Sequence, residues 1–155
     1  MPDILKTISP ADGSVYVERL LASTDDIHDA LGNAIEAQLG WRRVPVEQRQ
    51  AILNKAVDAF IARRDDIASE ISWQMGRPIS QSAGEVGGFE ERARHMSAIA
   101  PEALADIRPT PIDGFNRFVK RESLGVVAIL APWNFPYLTS VNGVIPALMA
   151  GNAVI

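Results

Sequence analysis

The sequence predicts an α/β protein in which amino-terminal helices lead, through a strand arm, into a strand–helix–strand unit. Between residues 24 and 100, apolar side chains recur every three or four positions, which is typical of amphipathic helices. No charged residue then occurs from Ser123 to Ile155. Within that stretch, residues 125–131 (GVVAILA) form a continuous apolar run rich in β-branched side chains, as in strands buried on both faces. A helix-length segment and a second apolar run at residues 153–155 complete a βαβ unit of about 30 residues.

The chain is predicted to enter the fold through an irregular or β segment over residues 1–23. Residues 11–13 carry a turn signal, and residues 14–17 (SVYV) are predicted to form a short strand after it. Residues 23–26 (STDD) combine capping oxygens with acidic side chains in a first turn. The first helix is therefore predicted to begin there and to end at Gly40.

Three further helices are predicted from their proline and glycine boundaries. The second begins near Pro45, the third runs from Ile67 to Met75, and the fourth opens at Pro78. Three prolines, Pro101, Pro109 and Pro111, are then predicted to end the helical part. Three glycines lie inside the fourth helix: Gly84, Gly87 and Gly88. Since each glycine costs about 1 kcal/mol relative to Ala in a helix interior, close packing is expected there if the helix is formed.

A hairpin arm is predicted between the helices and the βαβ unit. A turn at residues 112–114 precedes a mixed polar and apolar stretch, residues 115–121, that is typical of an exposed strand or hairpin arm. The predicted organisation is a helical part over residues 1–111, a β arm over 112–122 that is a candidate oligomerisation element, and the βαβ unit over 123–155.

The second strand of the βαβ unit has only begun at Ile155. An uncharged apolar strand edge without a partner promotes aggregation, and two parallel strands do not by themselves make a stable doubly wound sheet. The expectation is therefore that Ile155 is not the natural end of the folding unit and that the chain is the front piece of a larger protein.

Composition and charge exclude several classes of function. The 155 residues include 15 Lys and Arg and 19 Asp and Glu, which gives a net charge of −4 with neutral histidines. Without a basic stripe, no nucleic-acid partner is expected. Pro132, Pro136 and Pro146 divide the uncharged stretch into pieces too short to cross a bilayer, so no membrane partner is expected. The start of the chain lacks a secretory signal pattern, which predicts a cytoplasmic protein.

The sharpest chemical feature is the hexapeptide APWNFP at residues 131–136, just past the carboxyl end of the first buried strand. Ligands bind at that end of open α/β sheets. Asn134 carries an amide donor between two prolines that restrict the backbone, and such a donor can stabilise a developing oxyanion. The alternative that Asn134 is only a turn residue, and that Trp133 only packs in the core, stays open.

Other titratable residues give weaker signals. His28 and His95 are single histidines on predicted helices without a second ligand at metal spacing, so no metal site is expected. Three carboxylates on the fourth helix could resemble an acid–base pair: Glu85, Glu90 and Glu91. With arginines at 92 and 94 on the same helix, they are interpreted as solvated ion pairs.

Two long segments carry a resemblance to a known family. Residues 124–136 (LGVVAILAPWNFP) and 145–155 (IPALMAGNAVI) look like signatures of the aldehyde dehydrogenase superfamily at the expected spacing. Upstream, shorter matches follow the family's amino-terminal helices in order, including residues 74–79 (QMGRPI). The resemblance covers nearly the whole chain from about Ile8 onward.

The resemblance implies an enzyme that oxidises aldehydes to carboxylic acids with NAD or NADP through a cysteine thiohemiacetal. It implies that the helical part and the βαβ unit belong to a Rossmann-like cofactor domain, incomplete at Ile155, and that the protein is a homodimer or homotetramer. It assigns Asn134 to the oxyanion of the thiohemiacetal. The positions that it matches to the cofactor site are Leu130, Ala131, Pro132 and Trp133. Those that it matches to the aldehyde channel are Phe135, Leu138 and Asn142.

The sequence also departs from the family's pattern. It contains no cysteine, so the 155 residues alone are expected to be inactive. Asn142-Gly143 replaces an aromatic–Lys pair common in relatives, so their aldehyde preference does not transfer. Arg77 stands where Lys is frequent and is interpreted as a surface variation. The alternative is a truncated, non-catalytic binding or dimerisation module in which the β arm pairs with another chain.

Overall fold

The computed structural model describes residues 3–155; Met1 and Pro2, which begin the predicted helical part, lie outside them. The elements are, in chain order, β1 (Ile4–Ile8), β2 (Val15–Leu20), α1 (Thr24–Trp41), α2 (Val46–Ile61), α3 (Arg64–Met75), α4 (Ile79–Ala103), β3 (Val126–Val127), α5 (Pro136–Met149) and β4 (Ala153–Val154). The predicted α/β class is confirmed. Within residues 3–155, no helix combines the length and the apolar content that a membrane span needs.

The entry segment is a β-hairpin that packs on a helix. β1 pairs antiparallel with β2, and the register shifts between Thr7 and Ile8. The Tyr16 hydroxyl donates a hydrogen bond to Glu70 on α3 at 2.9 Å, and the Tyr16 ring stacks parallel to that of Trp73 with centroids 6.1 Å apart. The β entry is thus confirmed, and the strand predicted over residues 14–17 extends further, to Leu20.

Three helices, α1, α2 and α4, begin at their predicted signals, whereas α3 begins at Arg64, three residues before the predicted start at Ile67. Ser23 caps α1: its hydroxyl accepts from the Asp26 amide at 3.1 Å, and the Asp26 carboxylate accepts from the Ser23 amide at 2.8 Å. At the other end, α1 passes Gly40 and ends one residue later. Gly76 does end α3, because it adopts a left-handed conformation with φ of 79°.

Of the three prolines predicted to end the helical part, Pro101 lies inside α4, which continues to Ala103. A proline inside a helix removes the N–H that would bond the carbonyl four residues earlier. That carbonyl belongs to Ser97, and it accepts a hydrogen bond from the Gln50 side chain of α2 at 2.8 Å. A side chain from a neighbouring helix therefore replaces the missing backbone donor.

Helix α4 lies at the centre and packs against α2, α3 and α5. The main core cluster joins α2, α4 and α5: Leu53, Val57, Ala93, Ala100, Val141, Ile145 and Met149. A Cβ placed on Gly88 of α4 would lie 2.8 Å from Leu138 Cδ1 of α5, whereas one on Gly84 or Gly87 would meet nothing within 4 Å. The close packing expected at the helix glycines is therefore found at Gly88 alone among these three.

The predicted βαβ unit is confirmed, with α5 as the crossover between two parallel strands. Val126 pairs with Ala153 and Val127 with Val154. The strand predicted over residues 125–131 is shorter than expected, and its residues are at most half-buried. Among residues 3–155, β4 is the one strand paired with it, so only one of its edges is covered.

The predicted arm, residues 112–122, is exposed but contains no continuous strand. Two isolated antiparallel bridges join Ile107 to Val119 and Ile112 to Phe115. The arm therefore folds back as a loose hairpin, because in the described part of the chain no neighbouring strand extends the hydrogen-bond ladder.

Candidate functional site

The hexapeptide at residues 131–136 lies at the carboxyl edge of the parallel strand pair. The last backbone bond of the ladder runs from the Ile129 amide to the Ile155 carbonyl at 2.9 Å, and the loop starts directly after it. Because parallel strands present their carboxyl ends at the same edge, this is where ligands bind in open α/β sheets. Asn134 therefore occupies the predicted edge.

The first turn of α5 is capped by a side chain from another helix. Phe135 is the N-cap residue and offers no capping oxygen of its own. Glu85 Oε1 accepts from the amides of Tyr137 at 2.9 Å and Leu138 at 3.3 Å. Its side chain is 0% exposed. The interpretation of Glu85 as a solvated ion-pair residue is therefore wrong: it is buried because the positive end of α5 binds its carboxylate.

Arg77 connects this carboxylate to the loop. Its Nη1 forms an ion pair with Glu85 Oε2, and its Nη2 donates to the backbone carbonyl of Asn134 at 2.7 Å. The guanidinium carbon lies 4.0 Å from the centroid of the Phe135 ring, in cation–π range. Since the side chain is only 10% exposed, the interpretation of Arg77 as a surface variation is also wrong. The partners of Arg77 are separated from it by up to 57 residues along the sequence, so no local sequence pattern predicts these contacts.

The side-chain amide of Asn134 is available to a ligand. Within residues 3–155, the hydrogen bond of Asn134 uses its backbone carbonyl, and no described group binds its amide. The residue is exposed. A held backbone combined with a free amide donor is the arrangement that oxyanion stabilisation needs.

The four residues matched to the cofactor site form an exposed stretch of loop. Leu130 is 97% and Trp133 is 76% exposed, and Ala131 and Pro132 are exposed as well. Across the described chain, the backbone groups of residues 130–133 make no hydrogen bond. The stretch therefore offers free backbone donors and acceptors beside apolar side chains, a donor set that fits the polar groups and flat rings of a dinucleotide.

The three residues matched to the aldehyde channel lie at one face of α5. Phe135 and Leu138 line a cleft of about 200 Å³ together with Arg77 and Glu85. Asn142 follows one turn later and is outside the lining of that cleft. Its amide donates to the Leu138 carbonyl at 3.2 Å. The structure thus brings Phe135 and Leu138 together with the Arg77–Glu85 pair.

The remaining titratable candidates lie outside the site at this edge of the strands. His28 and His95 are exposed, and the described residues contain no cluster of acidic or histidine side chains able to hold a metal. Glu90 pairs with Arg94 at 2.8 Å, as predicted. Hydrogen bonds from Arg94 to Asp58 and Glu90 hold the pKa of Arg94 above its ordinary value.

The buried side-chain amide of Asn152 supports the strand below the site. Asn152 Oδ1 accepts from the Leu124 amide at 2.6 Å and from the Gly125 amide at 3.0 Å. Its Nδ2 donates to the Ala147 carbonyl at 3.0 Å. Asn152 thereby ties the start of β3 to the end of α5.

Comparisons with known proteins agree with this architecture. The sequence profile described as "Aldehyde dehydrogenase family" matches residues 2–155. The 3,6-anhydro-alpha-L-galactose dehydrogenase of Streptomyces coelicolor is 34% identical over 154 residues, which are 97% of this chain and 30% of that protein. The chain thus spans about 30% of that relative's length.

Two solved structures show the same fold. The NADP-dependent glyceraldehyde-3-phosphate dehydrogenase of Bacillus halodurans, complexed with NADP, matches with a TM-score of 0.87 at 26% identity, over 98% of this chain and 33% of that one. The NAD-dependent benzaldehyde dehydrogenase of Corynebacterium glutamicum matches with a TM-score of 0.88 at 31% identity, over 98% and 33%. Together with the profile match across residues 2–155, these likenesses confirm the resemblance: the chain belongs to the aldehyde dehydrogenase family.

Proposed function

We propose that this chain supplies the amino-terminal part of an enzyme that oxidises an aldehyde to a carboxylic acid with NAD or NADP. The observation that carries the proposal is Asn134, whose backbone is held by Arg77 at 2.7 Å while its amide is free at the carboxyl edge of the strands. Relatives that are named as NAD(+)- or NADP(+)-dependent aldehyde dehydrogenases support the reaction class.

Asn134 has one role in this reaction. When a thiolate adds to the aldehyde carbon, the carbonyl oxygen becomes an oxyanion, and the Asn134 amide donates a hydrogen bond to it. The sequence of 155 residues has no cysteine, so the thiolate has to come from residues outside this chain. NAD or NADP, held at residues 130–133, would supply the hydride acceptor, and water would then release the acid from the sulfur.

The loop residues have separate roles. We assign Leu130, Ala131, Pro132 and Trp133 to the cofactor, which they contact through free backbone groups and exposed apolar side chains. We assign Phe135 and Leu138 to the aldehyde, because they line the cleft of about 200 Å³ beside the loop. We also assign Asn142 to the aldehyde, because it follows Leu138 by one turn of α5. We further propose a cytoplasmic homodimer or homotetramer, the assembly that the family resemblance implies.

The first test is the intact mass of the natural protein. A mass several times 16.8 kDa supports the proposal, and the full-length protein is then assayed for aldehyde-dependent formation of NADH and NADPH. Asn134→Ala lowers kcat by about 10²–10³-fold, the loss typical of removing one oxyanion donor. Asn33→Ala, an exposed asparagine on α1, serves as the matched control and leaves kcat unchanged. An unchanged kcat in Asn134→Ala contradicts the assigned role.

The second candidate function is a non-catalytic binding or dimerisation module. The observation that favours it is the exposed arm over residues 112–122, where Phe115 and Val119 expose large apolar surfaces and the backbone forms isolated bridges only. Such a segment can add to a sheet edge of another chain. A mass near 16.8 kDa, with a dimer that dissociates when Phe115 is changed to Ser, favours this function over catalysis.

A further inference from the structure

We propose that Arg77 and Glu85 act as a positioning pair that sets the place of Asn134 during aldehyde oxidation; the inference rests on the function proposed above. Neither residue is expected to touch substrate or cofactor. Arg77 acts through the backbone of Asn134, and Glu85 acts through Arg77 and the first turn of α5. The pair is therefore a further determinant of turnover.

Glu85 uses its two carboxylate oxygens for different tasks. Oε1 accepts from the amides of Tyr137 and Leu138, at 2.9 and 3.3 Å, and so anchors the first turn of α5. Oε2 binds the Arg77 guanidinium. Since the carboxylate is buried, these hydrogen bonds act in a low local dielectric, where electrostatic interactions are stronger than in water.

Arg77 transmits this anchor to the loop. One guanidinium nitrogen binds Glu85, and the other donates to the carbonyl of Asn134 at 2.7 Å. The planar fork holds both partners in one geometry. The guanidinium also lies over the Phe135 ring, 4.0 Å from its centroid. Three consecutive parts of the loop, at Asn134, Phe135 and the first turn of α5, are thus tied to one buried carboxylate.

The functional consequence follows from the position of the amide. The Asn134 side chain has no protein partner within residues 3–155, so its location depends on its backbone. When Arg77 is removed, the Asn134 carbonyl loses its donor and the loop can shift away from the productive geometry. A displacement of about 1 Å in a catalytic group costs up to about 10²-fold in rate.

The test is a double-mutant cycle in the full-length protein, with kcat for aldehyde oxidation as the readout. Arg77→Gln is expected to lower kcat by about 10- to 100-fold, the cost of a misplaced catalytic group. In the Asn134→Ala background the same change is expected to have little further effect, because Arg77 acts through Asn134. The control is Arg94→Gln, an arginine on α4 whose partners Asp58 and Glu90 lie away from the loop.

A second readout needs no turnover. Hydrogen exchange of peptides covering residues 131–138 is expected to speed up in Arg77→Gln and to stay unchanged in Arg94→Gln. If Arg77→Gln does not fold, Arg77→Lys replaces it in both measurements. Lysine keeps one charge for Glu85 but lacks the planar fork, so kcat is expected to fall between those of the wild type and Asn134→Ala.

The outcomes separate this inference from the proposed function. If Asn134→Ala keeps full turnover, the proposed function of Asn134 fails and the inference fails with it. If Asn134→Ala loses turnover but the Arg77 change leaves kcat intact, or its loss adds fully to that of Asn134→Ala, only the inference is overturned. Unfolding of Arg77→Gln together with full activity of Arg77→Lys also overturns it, because Arg77 is then a purely structural residue.

Discussion

Asn152→Ala tests whether one buried amide holds the strand below the site to the helix beside it. The substitution removes three side-chain hydrogen bonds: two from the Leu124 and Gly125 amides to Oδ1, at 2.6 and 3.0 Å, and one from Nδ2 to the Ala147 carbonyl, at 3.0 Å. The expected result is a lower free energy of unfolding and a looser start of β3.

The magnitude follows from what each partner loses. The Ala147 carbonyl keeps a bond from the Asn152 backbone amide at 3.0 Å, so its loss costs little. Leu124 is 90% exposed, so water partly replaces the bond to its amide. Gly125 is half-buried, so the loss of the hydrogen bond to its amide costs more free energy. With about 1 kcal/mol net for each hydrogen bond and more for an unsatisfied buried group, the expected loss is about 2–3 kcal/mol.

The assay is urea unfolding followed by far-UV circular dichroism, with the slope compared between variants. Asn33→Ala is the matched control, since Asn33 is exposed on α1 and surface changes stay within about 0.5 kcal/mol. Asn152→Asp keeps both acceptor bonds and is expected to lose less than Asn152→Ala at low pH, where the carboxyl is protonated. A loss in Asn152→Ala no larger than that in Asn33→Ala would refute the reasoning.

Two further predictions concern the helix ends. Gly76→Ala is expected to lower the free energy of unfolding by about 2 kcal/mol, since φ is +79° and the new Cβ would lie 2.8 Å from Pro10 Cγ. The control Gly32→Ala, whose new Cβ would meet nothing within 4 Å, should instead raise the free energy of unfolding by about 0.5–1 kcal/mol. Equal effects of the two substitutions in the same unfolding experiment would contradict this prediction. Hydrogen bonds from Ser23 lower the pKa of Asp26 below 3.8. The stabilisation of the folded state by this carboxylate is therefore present above pH 3.8 and is lost as the pH falls through the folded-state pKa. Ser23→Ala should return the pKa of Asp26 toward 3.8 in an NMR titration, and an unchanged pKa would refute the capping assignment.

Local patterns predicted most of the elements. The order of four helices, the entry strand, the crossover helix and the second strand follows from residue periodicity and from capping, proline and glycine signals, which act within a few positions of the chain. The motif at residues 131–136 likewise placed Asn134 at the carboxyl edge of β3. These features depend on interactions that are short in sequence, so the sequence alone contains them.

The corrections share a different cause. Pro101 does not end α4, because Gln50 supplies the missing donor to Ser97 at 2.8 Å. The first strand of the βαβ unit is at most half-buried, because its burial depends on elements that cover it rather than on its own apolar run. No local sequence pattern distinguishes these outcomes, since the deciding partners belong to other elements.

The sequence by itself determined the fold class, the starts of α1, α2 and α4, the site motif and the family of this protein. Only the tertiary structure decided that Arg77 and Glu85 are buried partners of the Asn134 loop and that Asn152 is a structural link. The physical reason is that buried polar groups form hydrogen bonds with groups that are close in space, whatever their separation along the chain. Here the Arg77 donor lies 57 positions from the Asn134 carbonyl, and the Asn152 amide lies 28 positions from the Leu124 amide.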